Sequence, residues 1–159
     1  IQDKPDAVEL DTVEGRVDFD HVYFHYVPEI PVLQDIDLHV APGETVAFVG
    51  HTGAGKTTIT SLVSRGYEVT GGAIRIDGHD IRDIKRRSLT RHMGVVLQQP
   101  YLFTGSVREN IAYGRPEAPQ EAVEEAARAV GAHEFIMHLE HGYDTVLQQR
   151  GQNLSVGQR

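Results

Sequence analysis

Gly50-His51-Thr52-Gly53-Ala54-Gly55-Lys56-Thr57 spells G-x-x-x-x-G-K-T, set between the short apolar run 46–49 and a segment whose apolar residues recur at helical spacing. Strand, glycine loop and helix start in that order form a phosphate-binding loop, and few folds accommodate one. Its glycines let backbone N–H groups turn inward around phosphate oxygens, and the first helical turn adds unpaired N–H groups at the positive end of its dipole. Lys56 is placed to reach the β- and γ-phosphates. The Thr57 hydroxyl suits Mg²⁺, a hard cation that takes oxygen ligands while bridging phosphates. Gly50, His51, Thr52, Gly53, Ala54, Gly55, Lys56, Thr57 and Thr58 are therefore the expected nucleotide-contacting set.

A net charge of −8, from 15 Lys and Arg against 23 Asp and Glu, argues against a general nucleic-acid or anionic-lipid surface. Nucleotide binding survives that objection, because the loop makes its positive potential locally from backbone dipoles, one lysine and the metal. At 159 residues and 40% hydrophobic content the chain can bury a core. No run approaches the roughly 18 apolar residues of a spanning helix, and residues 1–9 lack the plan of a signal peptide, so direct membrane insertion is not expected. The absence of cysteine excludes disulfides and thiolate metal sites and agrees with a reducing compartment.

In chain order, residues 1–14 are acidic, carry Pro5 and show no sustained period, which predicts a linker. Residues 16–26 alternate as a strand through Val17, Phe19, Val22 and Phe24, with an irregularity expected at Asp20-His21. A second strand is predicted over 36–40, the loop's own strand over 46–49, and a helix from Lys56 to about Arg65 that buries Ile59, Leu62 and Val63. Further on, a strand is predicted over 73–77, a short helix closing over 88–92, and a compact apolar strand over 93–98 stopped by Pro100. Asp77, Asp80 and Asp83 fall around a surface turn and are expected to be solvated. So are His133, His138 and His141. Ser106 with Glu109 makes a capping box that opens a helix at Val107. Pro119 begins an amphipathic helix ended by Gly131, and Phe135, Ile136 and Leu139 belong to another short helix. Ser155 and Gln158 make a second capping box at the end of the sequence.

Phosphate loops serve GTPases, kinases, motors and transporters, so the other motifs must choose. With Gly50 to Thr57 in hand, Gln98 after an apolar run, Tyr101-Leu102-Phe103, and Leu154-Ser155-Val156-Gly157-Gln158, the chain resembles the nucleotide-binding domain of an ATP-binding cassette (ABC) transporter from residue 15 onward. Three stretches resemble the exporter branch, which includes multidrug and lipid half-transporters: residues 16–26, Ile76-Asp77-Gly78-His79-Asp80-Ile81-Arg82, and Val107-Arg108-Glu109-Asn110-Ile111.

The resemblance implies an α/β fold, a P-loop NTPase (RecA-like) core with an N-terminal antiparallel β subdomain and an appended α-helical subdomain, the C-terminal part of the core missing. It implies domains 1–14, a linker from a transmembrane domain; 15–105, β subdomain plus ATP-binding core; and 106–159, helical subdomain ending at the signature motif. It makes Tyr26 the ring on which adenine stacks. Stacking suits a tyrosine, whose ring offers a large flat contact while its hydroxyl stays wet, although a tyrosine capping a core edge has the same pattern. Gln98 becomes the glutamine that meets Mg²⁺ and the attacking water; Gln99 beside it competes, and the four-residue spacing to Leu102 favours Gln98. Ser155, Val156, Gly157 and Gln158 become the signature, a capped helix start facing the γ-phosphate on a partner subunit. ATP and Mg²⁺ are the implied cofactors. The implied partners are a transmembrane domain of the same transporter and a second nucleotide-binding domain, at the cytoplasmic side of the cell membrane.

Four departures from the family pattern stand out. Val156 replaces a glycine but keeps its backbone N–H. Gly66 and Val69 fall where the family usually has phenylalanine and proline. Gln148 and Gln149 replace glycine and glutamate in a segment, 145–151, that resembles the one contacting the transmembrane part. The family's metal-holding Asp, its general-base Glu and a later histidine follow the signature and are not among these 159 residues. The chain alone is therefore expected to bind ATP without hydrolysing it, whereas the intact protein is an ATPase. Two rivals use the same motifs: a soluble cassette ATPase without membrane partners, and a catalytically silent half of a heterodimer.

Overall fold

Strand β1 (Val17–Val27) carries a bulge, and the bulge decides which side chains form the core. Strict alternation would put residues 19, 21 and 23 on one face. Instead Phe19 pairs with Leu38 and Val22 with Ile36, so two residues of β1 oppose one of β2 (Ile30–Val40), and Phe19, Val22 and Phe24 all turn inward. The extra residue is His21, held at φ 46. This is the irregularity expected at Asp20-His21.

The computed structural model describes residues 1–97 and 101–148, which fall into two compact units, Ile1–Val95 and Val96–Arg159. In the first, β3 (Gly71–Ile76) pairs antiparallel with the other side of β1, and β4 (His79–Asp80) with β3, giving the order β2-β1-β3-β4. Helix α1 (Lys56–Val63) lays Ile59 and Leu62 on this sheet. A single 3-10 turn (Ile81–Asp83) and helix α2 (Arg86–Arg91) add Ile81, Ile84 and Leu89 to the same core. Strand β2 begins six residues before the sequence suggests. A two-residue turn at Pro28-Glu29 closes a hairpin in which Val27 faces Ile30, and strand and turn are then set by pairing to β1 rather than by alternation within 30–35.

The expected strands at 46–49 and 93–98 are not strands among the described residues. Val49 is 94% and Val96 100% exposed. An extended segment becomes a strand only when a neighbour completes its hydrogen-bond ladder, and no described residue pairs with either run. The described sheet is thus the antiparallel one.

Residues 1–14 are tied down rather than trailing. Val8 N–H donates to the Asp83 carbonyl and Lys85 N–H to the Val8 carbonyl, forming a parallel bridge, while Leu10 N–H reaches the Ser88 hydroxyl and Ala7 is buried. Buried Arg65 continues the clasp, donating to the Ile84 and Gln2 carbonyls and to Glu68. Val69 packs against the core and the Gly66 N–H bonds the Ser61 carbonyl, so the segment where the family pattern is broken still closes on itself.

Asp77 and Asp80 are corrected from solvated to structural. The Asp77 carboxylate accepts the backbone N–H groups of Glu14 and Arg16 at 2.8 and 2.9 Å. Asp80 caps the 3-10 turn through Arg82 N–H and grips the Arg82 guanidinium. A carboxylate can end a run of backbone donors that no strand satisfies, which composition does not reveal. Asp83 pairs with Lys4.

In the second unit Ser106 and Glu109 complete the expected box, with Ser106 Oγ accepting Glu109 N–H at 3.0 Å and the Glu109 carboxylate accepting Ser106 N–H at 2.7 Å. Helices α3 (Val107–Ile111), α4 (Gln120–Ala129) and α5 (His133–Met137) pack Val107, Val123, Ala127 and Ile136 around Tyr143 and Leu147. Gly131, at φ 71, ends α4. Strands β5 (Gly105–Ser106) and β6 (Val146–Leu147) pair antiparallel. His133 is not solvated as expected: its Nδ1 lies 2.9 Å from the buried Tyr143 hydroxyl, which needs a partner inside. His138 and His141 are exposed.

Candidate nucleotide site

Helix α1 starts without the side-chain oxygen that ordinarily takes first-turn donors. Its N-cap is Gly55, at φ 85, with no side-chain cap bond and no acidic residue in the first turn. The first-turn N–H groups therefore keep their hydrogen-bonding capacity for an outside anion, and the dipole favours negative charge there. Gly55 is itself buried, and a Cβ on it would stand 2.7 Å from Leu33 Cδ2 and 3.4 Å from the Val32 carbonyl oxygen. Strand β2 thus backs the loop closely, and the left-handed conformation of Gly55, which L side chains rarely adopt, favours glycine there. Gly53 has the same φ of 85, and the Ala54 N–H donates to the His51 carbonyl to close the turn.

Lys56 folds over this loop. Its Nζ donates to the carbonyls of Gly50 and His51, at 2.8 Å each. Moving the ammonium onto a phosphate replaces neutral acceptors by anionic ones and adds charge–charge attraction to each bond. Thr57 is exposed, one residue into the helix. Thr58, grouped by sequence with the nucleotide contacts, is buried, and its hydroxyl lies 3.1 Å from the Tyr26 hydroxyl. That bond links the end of β1 to the first turn of α1.

Tyr26 is 52% exposed, yet its hydroxyl is not simply wet. Phe24 and Tyr67 stand nearly perpendicular to its ring, with centroids 4.8 and 5.1 Å away and planes at 88° and 86°. Sequence reasoning passed over Tyr67. The signal available was an aromatic residue directly after Arg65-Gly66, in the segment noted only for its departures. Gln98 and residues 155–158 lie outside the described residues, as does Gln149. Among the described residues no three His, Cys, Asp or Glu cluster as metal ligands.

Comparison with known proteins gives the family. The ABC transporter family model matches residues 33–159. The chain is 49% identical, over 99% of its length, to the putative multidrug export ATP-binding/permease protein YgaD of Bacillus subtilis (strain 168). It is 48% identical, over its whole length, to the ATP-dependent lipid A-core flippase of Syntrophus aciditrophicus (strain SB). It spans 27% and 26% of those two proteins. Among solved structures, a bacterial Atm1-family ABC exporter with ATP bound superposes with a TM-score of 0.91 at 40% identity, over 99% of this chain and 28% of that one. With the glycine loop, its lysine and the preceding aromatic residue all inside the aligned length, this chain belongs to the ABC transporter family.

Proposed function

We propose that this chain binds MgATP and is the nucleotide-binding part of an exporter whose ATP hydrolysis drives transport across a membrane. The observation that carries the reading is the uncapped start of α1 under a glycine loop, with Lys56 over it and the Tyr26 ring tied to the same helical turn through Thr58. Phosphates sit on the loop amides and Lys56, and adenine on Tyr26. The Thr57 hydroxyl, exposed in the first turn of α1, fits Mg²⁺ bound with the nucleotide and would supply one protein oxygen, with phosphates and water supplying most of the rest, as this ion prefers to an all-protein cage; Gln98, outside the described residues, is the second ligand that the family resemblance implies. Gln98 orients the attacking water, while Ser155, Val156, Gly157 and Gln158 face the γ-phosphate held by a second copy or a related domain. No described helix is long and apolar enough to cross a membrane. A transmembrane domain of the same transporter then holds this one at the cytoplasmic face. The 159 residues bind nucleotide, and turnover belongs to the intact dimer.

Tyr26→Ala tests the base contact. Loss of one base–aromatic stack is expected to weaken MgATP binding by about 1 to 3 kcal/mol, and Tyr26→Phe, which keeps the ring and loses only the bond to Thr58, retains most of the affinity. Competition titrations with a fluorescent ATP analogue report both. A Phe variant as weak as the Ala variant would show that the hydroxyl, not the ring, holds the base. Stacking distinguishes amino from keto groups poorly, so GTP competes measurably with ATP.

A further inference from the structure

We propose that Tyr67 is a positioning residue for the base: it fixes the plane of Tyr26 on which a purine stacks, so that base affinity depends on a side chain outside the glycine loop. The inference rests on the reading of Tyr26 as the stacking ring.

Three restraints converge on Tyr26 from three parts of the fold. Phe24, two residues earlier on β1, stands perpendicular to it at 4.8 Å and is buried in the core. Thr58, in the first turn of α1, takes the hydroxyl at 3.1 Å. Tyr67, in the loop after α1, closes the set at 5.1 Å and 86°, and also touches Phe24 at 5.8 Å. Phe24 and Thr58 are both buried and both serve the packing of sheet and helix. Tyr67 differs. It is 47% exposed and, among the described residues, makes ring contacts only with the two aromatics of this group. A half-exposed aromatic contributes less to a core than a buried one, whereas edge-to-face geometry is directional and restrains a neighbouring ring.

The restraint matters because Tyr26 lies at the end of a hairpin, one residue before the Pro28-Glu29 turn is reached through Val27. A tyrosine there has a free χ1 and χ2 unless neighbours hold it, and stacking on an unrestrained ring must first order it. Tyr67 does that ordering before the base arrives. The left-handed backbone of Arg65, at φ 52, and the Gly66 N–H bond to the Ser61 carbonyl turn the chain back after α1 and bring Tyr67 to the hairpin end.

The experiment compares affinities of the 159-residue chain for MgATP and for magnesium tripolyphosphate, which has the phosphates but no base. Tyr67→Ala is expected to weaken MgATP binding roughly three- to tenfold and to leave tripolyphosphate within twofold, with Tyr67→Phe close to the parent. Because Tyr67 acts through Tyr26, the double variant Tyr26→Ala/Tyr67→Ala binds MgATP no more weakly than Tyr26→Ala alone. Should Tyr67→Ala fail to fold, Tyr67→Leu, which fills the space without an aromatic edge, is held to the same expectations. Unchanged MgATP affinity in the Tyr67 variant, equal losses for both ligands, or additive losses in the double variant would each overturn the proposal. If the parent chain binds MgATP no better than tripolyphosphate, or Tyr26→Ala has no effect, it is the stacking reading itself that fails.

Discussion

Lys56→Ala will weaken MgATP binding about tenfold or more, since each charge-assisted hydrogen bond to a phosphate oxygen contributes about 1.5 to 3 kcal/mol. The fold will not suffer with it. Among the described residues the Lys56 ammonium bonds only to carbonyls of its own loop, at Gly50 and His51, and its removal leaves the loop's glycine conformations and the Ala54–His51 turn in place. Affinity and stability therefore separate in this variant. Titration of a fluorescent ATP analogue alongside thermal melting checks the pair, and equal affinities with the parent would remove Lys56 from the site.

The largest loss of stability is expected from Gly72→Ala. Gly72 lies opposite the β1 bulge, at φ 73, where a Cβ would meet the His21 carbonyl oxygen at 2.2 Å and that of Asp20 at 2.4 Å. Both are backbone atoms and cannot swing aside. Left-handed backbone alone costs an alanine about 1 to 2 kcal/mol, and displacing the β1–β3 ladder brings the total to roughly 3 kcal/mol or more. The ladder also carries Phe19 opposite Ile74, two residues of the main core. Chemical denaturation of Gly72→Ala against Gly78→Ala separates the two contributions. Gly78 has a similar φ of 83 but nothing within 4 Å of its added Cβ, so it should lose only the backbone part. Equal losses in the two variants would show that the close approach at the bulge carries no weight.

These results also mark what the sequence makes legible. The bulge is visible as a three-residue step from Phe19 to Val22 within an otherwise alternating strand, because inward-facing residues report the register whatever the backbone does. The Ser106–Glu109 box and the glycine loop are visible because their partners lie within a few residues. Pairing between distant segments is not written in either partner alone. Residues 46–49 have the composition of a strand without a described ladder, and Ile30 begins a strand without alternating. Asp77, in turn, collects backbone donors from residues 14–16 across the sheet. Tyr67 escaped for the same reason: its contacts with Tyr26 and Phe24 span more than forty residues and depend on how the chain turns after α1. Local chemistry points to the proposed phosphate contacts, and the tertiary fold to the proposed support of the base.

The most direct test of the account is an amide and aromatic NMR titration of the isotope-labelled chain with MgATP. The predicted result is a saturable set of shifts concentrated on residues 50–58, with the Tyr26 and Tyr67 ring signals moving along the same binding curve. Shifts confined elsewhere, or loop shifts with both rings unmoved, would contradict it.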